Sequence, residues 1–250
     1  MALAGHEFLA SLGKTRLRPG GKEATDFLLQ NAEISADTKV LEVACNRGQS
    51  MMEIASRFGS SVVGVDKFDY LVKEARENIE NLGLTESCSV ELADAQDLPF
   101  KDECFDVVVN EAMLTMLSRS KREAVLQEYF RVLKPGGYLL THDVMLLEDD
   151  EKLRKSLGKT IKLGVHPETF ENWMSYFEGA GFSVQNYKSG EMTLISPKGL
   201  LKDEGALNAA KIVRNGMKAE NREYFLSMKN FFMANKDKLR YIAVVSRKLK

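Results

Sequence analysis

Apolar residues fall along this chain in two alternating rhythms. Short runs rich in β-branched residues are separated by longer stretches whose apolar positions recur three or four apart. Val40-Leu41-Glu42-Val43 reads as a first strand, and residues 49–58 as the helix that follows. Ser61-Val62-Val63-Gly64-Val65 reads as a second strand, then a helix over 70–82 with Leu71, Ala75, Ile79 and Leu82 on one face. Residues 89–92 make a shorter third strand, and Phe105-Asp106-Val107-Val108-Val109 a fourth. Ser120 and Glu123 have capping-box spacing and predict a helix that runs to Leu133. Lys134-Pro135-Gly136-Gly137 stops it, and residues 138–141 form a fifth strand. Such alternation predicts a parallel sheet covered by helices on both faces.

The last hundred residues keep a different rhythm. Pro167 at a helix start leads into Phe170, Trp173, Met174 and Phe177 at helical spacing, closed by Gly179-Ala180-Gly181. This aromatic set reads as helix core rather than as a ligand cage. Residues 182–195 read as a strand, residues 199–217 and 220–237 as helices, and Tyr241-Ile242-Ala243-Val244-Val245 as an edge strand. With no repeat and no linker, residues 1–250 are expected to form a single domain. Residues 1–21 would form a cap segment, and 198–238 a helical insertion between the last two strands.

Composition changes the picture in one respect. The net charge of −1 is a sum of unlike parts: residues 198–250 carry 13 Lys and Arg against 5 Asp and Glu, whereas residues 1–197 carry 22 against 31. The cations of the insertion are spread through two helices, and their spacing does not gather them on one stripe. They read first as a solvated face, then as a means of attracting an anionic small substrate or docking on the acidic body. Nucleic acid is the least favoured partner, because no RNA-binding module is recognisable. Three widely spaced cysteines, Cys45, Cys88 and Cys104, suggest neither a disulfide framework nor a zinc site. The first 18 residues lack the apolar stretch of a signal peptide, and no apolar run is long enough to span a bilayer. A cytoplasmic protein with no membrane partner is expected.

Open α/β sheets bind ligands beyond the carboxyl ends of their strands, where the strand order reverses. After the first strand come Ala44, Cys45, Asn46, Arg47 and Gly48, with small residues that allow close backbone approach and an Asn that tolerates a left-handed turn. Asp66 ends the second strand, placed to accept hydrogen bonds from a ribose diol; Asp94, after the third, is able to accept from an exocyclic amine. Asn110 and Glu111 end the fourth. The nicotinamide fingerprint G-x-G-x-x-G is absent, which counts against a dehydrogenase.

These segments resemble the class I S-adenosylmethionine-dependent methyltransferases, in particular the small-molecule, methyltransferase type 11-like group. The marks are the Glu42–Gly48 loop, Asp66, Ala93-Asp94-Ala95 with Leu98-Pro99-Phe100, Phe105-Asp106-Val107-Val108, and Leu133-Lys134-Pro135-Gly136-Gly137. They cover roughly residues 20–145, with weaker agreement to about 195. The resemblance implies a Rossmann-like, doubly wound, mostly parallel seven-stranded sheet with an antiparallel last strand. It also implies S-adenosyl-L-methionine as cofactor and a small-molecule acceptor. Glu42, Ala44, Cys45, Asn46 and Gly48 would pass beneath the methionine portion. Asp66 would bind the ribose, with Lys67 and Phe68 flanking the adenine. Asp94, Ala95 and Gln96 would meet the adenine edge, and Asn110 the methionine part. The family loop usually has glycine at three alternating positions, which here are Ala44, Asn46 and Gly48.

The implied reaction needs an aligned nucleophile more than a catalytic side chain. No catalytic residue is therefore assigned; His142, Glu111 and Arg18 are substrate-side candidates, and no metal is expected, Asp143 being a single possible ligand. The Asn/Asp-Pro-Pro-aromatic signature of amino-directed nucleic-acid methylation is missing from Asn110-Glu111-Ala112-Met113. An RNA methyltransferase using the basic helices, and a cofactor-binding subunit without catalysis, are the competing readings. Cys45 reads as a buried hydrophobe, His166 as a helix-entry residue, and Met113, Met116, Met145 and Met192 as core filling.

Overall fold

A computed structural model describes residues 3–249. Its strands are β1 (Lys39–Val43), β2 (Ser61–Asp66), β3 (Cys88–Leu92), β4 (Phe105–Glu111), β5 (Leu133–Leu146), β6 (Glu168–Thr169), β7 (Phe182–Glu191) and β8 (Leu239–Lys248). The helices are α1 (Gly5–Ser11), α2 (Gly21–Gln30), α3 (Gln49–Phe58), α4 (Asp69–Asn81), α5 (Arg119–Val132), α6 (Glu151–Ile161), α7 (Phe170–Gly179), α8 (Pro197–Gly216) and α9 (Ala219–Ala234). The sheet runs β3-β2-β1-β4-β5-β8-β7, with the two-residue β6 beside β5. β3 through β5 are parallel, whereas β8 is antiparallel to both β5 and β7. This is the mostly parallel Rossmann-like sheet with an antiparallel last strand. The strand order reverses between β1 and β4, which fixes the crevice described below.

Strand alternation divides the interior into two layers. Val40, Val107, Val109, Leu140, Ala243 and Val245 point to one face, where Leu28, Met51 and Ile54 of α2 and α3 cover them. Leu41, Val108, Leu139 and Val244 point to the other, against Tyr129, Trp173 and Phe177. Phe170, Trp173, Met174 and Phe177 thus belong to packing, as their spacing predicts. A third apolar cluster joins Phe8, Leu9 and Leu12 at the N-terminus to Leu200, Ile212, Phe225 and Met228 of α8 and α9.

Several elements depart from the sequence reading. β8 is interior rather than an edge: it lies between β5 and β7, and Tyr241 through Ser246 are buried. A continuous apolar run suits a strand covered on both faces, so the run itself could not tell edge from centre. Ser118, two residues before Ser120, occupies the N-cap position of α5 without a side-chain cap hydrogen bond, and Glu123 pairs with Arg119 (3.1 Å) instead of closing a capping box. Pro167 does not open α7; Thr169 is the N-cap, because Glu168 and Thr169 pair with β5 first. β7 stops at Glu191, short of Ile195, and β5 extends well beyond 138–141 at both ends. The sequence reading missed α6, which Asp150 caps by accepting from the Leu153 N–H at 2.9 Å. It also missed α1.

Candidate functional site

The turn after β1 concentrates unusual backbone. Ala44 (φ 58°), Asn46 (φ 51°) and Gly48 (φ 76°) are all left-handed, the three alternating positions where the resembled family carries glycine. A left-handed conformation costs a residue with a Cβ about 1–2 kcal/mol, less for Asn. Strain of this kind persists only where the surroundings over-determine it. The Cys45 N–H donates to the Val65 carbonyl (3.0 Å) and the Gly48 N–H to the Cys45 carbonyl (2.9 Å), which holds the turn against β2. Gly64 makes that closeness possible: a Cβ there would lie 2.7 Å from Met51 Sδ and 2.9 Å from Cys45 Sγ. Burial pushes the Cys45 thiol far up, with Glu42 and Asp66 adding to the effect, so it sits as a protonated small hydrophobe.

Asp66 organises the adjoining strand end. Its buried carboxylate accepts from the Asn46 N–H (3.0 Å) and from the Phe68 N–H (3.1 Å), tying the β1 turn to the start of α4. Lys67 Nζ lies 5.0 Å from the centre of the half-exposed Phe68 ring. Beyond β3, the Ala93 N–H donates to the Asp66 carbonyl (3.0 Å), and Asp94 accepts from the backbone N–H (2.9 Å) and side-chain amide (3.2 Å) of Gln96. The Gln96 N–H is the main cause of the lowered Asp94 pKa, so this carboxylate remains an acceptor. Asn110 is fully buried at the end of β4; its amide donates to Tyr129 Oη (3.0 Å), and its Oδ1 has no partner among the described residues.

On the α2–α3 face lies a closed polar cluster. Arg18 Nη1 meets Glu111 Oε2 at 2.7 Å and Thr25 Oγ1 at 2.9 Å, and Arg18 Nη2 donates to Ser50. Glu111 also accepts from Thr25 Oγ1 (2.6 Å) and Ser50 Oγ (3.3 Å), and its Oε1 lies 3.2 Å from His142 Nδ1. The Gly20 N–H donates to His142 Nε2 at 2.9 Å. An acceptor at Nε2 places the ring proton on Nδ1, facing Glu111. The three substrate-side candidates are therefore brought together, but in one another's grip; Thr25 and Ser50 complete the cluster without any sequence signal that marks them. His142 lies within β5 rather than after it and is wholly buried.

Two carboxyl groups in this cluster are driven apart. Burial pushes Glu111 up, yet Arg18, His142 and Thr25 outweigh it and hold the group down to about 2. Burial dominates at Glu42, which is only partly relieved by Arg18 and Ser50 and rises to about 7. Its Oε2 has no partner among the described residues. Asp143 is occupied structurally, accepting from the Thr115 N–H (3.0 Å), the Thr115 hydroxyl and the Val144 N–H (2.9 Å). No group of three metal-ligating side chains occurs among the described residues. The His166 N–H donates to the Thr115 carbonyl (2.6 Å).

A doubly wound sheet whose first strand ends in a left-handed turn, with acidic residues at the next two strand ends, defines the class I methyltransferase fold. Comparisons with known proteins agree. Residues 40–137 match the methyltransferase domain family. An uncharacterized protein of Haemophilus influenzae is 51% identical over 98% of both chains. Methyltransferase GfsG of Streptomyces halstedii is 33% identical over 67% of this chain, which spans 61% of GfsG's length. Geranyl diphosphate C-methyltransferase of Streptomyces coelicolor, solved with S-adenosyl-L-homocysteine, superposes with a TM-score of 0.69 over 91% of this chain and 80% of its own, at 14% identity. Residues 40–137 thus form a methyltransferase domain, on the class I methyltransferase fold. No helix among the described residues is long and apolar enough to cross a membrane.

Proposed function

We propose that this enzyme methylates a small-molecule acceptor in the cytoplasm, with S-adenosylmethionine as methyl donor seated across the ends of β1, β2, β3 and β4. The single observation that carries the seating is the left-handed triplet Ala44, Asn46 and Gly48, held against Asp66. The fit to the donor is good on two further counts. Buried acceptors at Glu42 Oε2 and Asn110 Oδ1 have no partner among the described residues, and the donor's methionine end brings a positively charged amine. Asp66 is the ribose ligand in this reading, Lys67 and Phe68 flank the adenine, and Asp94 accepts at its edge beside Ala95 and Gln96. Glu42, Ala44, Cys45, Asn46, Gly48 and Asn110 surround the methionine portion.

The bound donor supplies an already activated sulfonium methyl. What the protein must add is alignment and exclusion of water, for which orientation alone is worth up to about 7–11 kcal/mol. Residues 5–21 and the 198–238 insertion form the cap over the site in this reading, joined through their shared apolar cluster. Arg18 and Gly20 anchor that cap to Glu111 and His142. Both ring nitrogens of His142 are engaged, so we assign it and Arg18 to positioning rather than proton transfer. The three free cysteines suit a reducing compartment.

Charge in the insertion is partly spent on docking. Lys202 pairs with Glu23 (2.5 Å), which Lys188 of β7 also meets (2.7 Å), and Lys238 pairs with Asp150 (3.9 Å). These pairs support complementary packing on the acidic body, as the charge partition suggests. The test is a thermal-shift titration with S-adenosylmethionine, S-adenosylhomocysteine and NADH, because a ligand of the native state raises the melting temperature. Shifts with the first two and none with NADH are expected; a shift with NADH alone would overturn the seating. Methyl transfer to RNA, but to no small-molecule pool, would overturn the acceptor class.

A further inference from the structure

The outer surface of α8 is built unlike that of any other helix in the protein. Gly205 (φ 73°, ψ 167°) breaks α8. After the break, Ala209, Ile212 and Gly216 turn inward and are buried. The opposite side carries two adjacent stripes stepping i, i+4, i+7. One is Ala206, Ala210 and Val213, continued by Met217 at the C-cap; the other is Leu207, Lys211 and Arg214, with Lys218 just beyond the helix end, in the extended residue that opens α9. All eight residues are exposed. Leu207 is 91% exposed, the highest value among the exposed large apolar side chains, with Val213 at 43% and Met217 at 42%. Three of the insertion's cations, which as a whole are spread over two helices, thus lie together here beside an apolar stripe.

We infer that this face is a peripheral docking surface for an anionic phospholipid bilayer. An exposed apolar stripe next to a basic one, with no carboxylate in either, is the arrangement that lies in a headgroup layer: apolar side chains enter the acyl boundary, and cations stay with the phosphates. Other cations of the insertion are already paired, as Lys202 is with Glu23. Lys211, Arg214 and Lys218 form no ion pair among the described residues, so their charge is available to a partner. A second copy of the chain fits poorly, because packing this face on itself gathers six cations with no carboxylate between them. Single-stranded nucleic acid fits poorly too, because neither stripe carries an aromatic residue for base stacking. A surface helix of this kind is distinct from a membrane span, which the chain does not show among its described residues.

The experiment is co-sedimentation of the full chain with vesicles of phosphatidylcholine alone and with one-quarter phosphatidylglycerol, at low and physiological salt. Binding to the anionic vesicles only, weakening with salt, is expected. Replacing Lys211, Arg214 and Lys218 together by Ala should weaken it about a hundredfold, at roughly fivefold per cation. Leu207→Asp should weaken it at least tenfold while leaving the melting temperature and its S-adenosylmethionine shift unchanged, which separates lost docking from misfolding. No sedimentation with anionic vesicles at low salt would overturn the inference. Sedimentation that Leu207→Asp leaves unchanged, matched by equal retention on tRNA, would also overturn it, since that is plain polyanion attraction.

Discussion

Arg18 is the residue whose loss the structure prices most directly. Its guanidinium is buried, and so is the Glu111 carboxylate it meets at 2.7 Å, with side-chain exposures of 11% and 3%. Arg18→Met keeps most of the side-chain bulk and removes the charge. Glu111 is left with Thr25, Ser50 and His142 and no cation, and breaking a buried pair from one side costs about 3–5 kcal/mol. With a urea dependence of about 3 kcal/mol per M, the unfolding midpoint should fall by about 1–1.7 M at pH 7. The pH dependence carries a sign. Glu111 folds with its pKa near 2, below the ordinary carboxylate value, so its stabilisation is complete above about 4.5 and is lost as pH falls from there toward 2. The gap between wild type and variant should accordingly be full at pH 7 and narrow below pH 4.5. Adding Glu111→Gln to Arg18→Met removes the stranded charge and should recover most of the loss. Urea titrations of wild type, Arg18→Met and the double variant at pH 7 and pH 3.5 decide it. A loss under 1 kcal/mol at pH 7, or no recovery in the double variant, would refute the assignment of Arg18 as the counter-charge.

Glu42 should behave in the opposite sense: its folded pKa near 7 means stability is highest below about 4.5 and declines by about 3 kcal/mol as pH rises through 7. Glu42→Gln should flatten that decline in urea titrations at pH 5 and pH 8, and an unchanged slope would show another group responsible. Ala44→Gly should stabilise by about 1 kcal/mol, because relief of a left-handed Cβ exceeds the added chain entropy, while Asn46→Gly should be near neutral. A lower melting temperature for Ala44→Gly would contradict the strain argument. Asp66→Ala should weaken S-adenosylmethionine binding by about 1.5–3 kcal/mol in calorimetric titration, and unaltered affinity would remove Asp66 from the ribose role.

Legibility in the sequence followed the physics of each region. The β1, β2 and β4 core was readable because their β-branched runs are broken only by single polar residues, Glu42 and Asp106, that leave the apolar run recognisable. Asp66 was readable from its place beyond a strand end, although its two backbone partners were not. β8 was readable as a strand but not as an interior one, because pairing partners are set by topology and leave no trace in a run of five apolar residues. The polar cluster was half legible. Arg18, Glu111 and His142 stood out as charged or titratable residues near strand ends, but Thr25 and Ser50 lie on helices as ordinary small polar residues. Only the fold brings all five within hydrogen-bond reach. Charge in the insertion is spread over two helices, as the spacing indicates; what the spacing of cations alone passes over is the juxtaposition of Lys211, Arg214 and Lys218 with the exposed apolar positions beside them.

The interior position of β8 bears on the order in which the molecule can be assembled. Residues 239–248 sit between strands that emerge from the ribosome some 50 to 100 residues earlier, so β7 has no sheet to join until this segment arrives. The same holds at the other terminus, where Thr15 and Arg16 bind Glu204, nearly 190 residues distant along the chain. A ribosome-bound chain halted near residue 196 would hold β1 through β5 with one flank unpaired, and α1 would have α6 but neither α8 nor α9 to pack on. Translation through the final strand therefore completes the cap and seals the sheet together, and shortening the chain from its C-terminal side would open the middle of the sheet rather than trim its border.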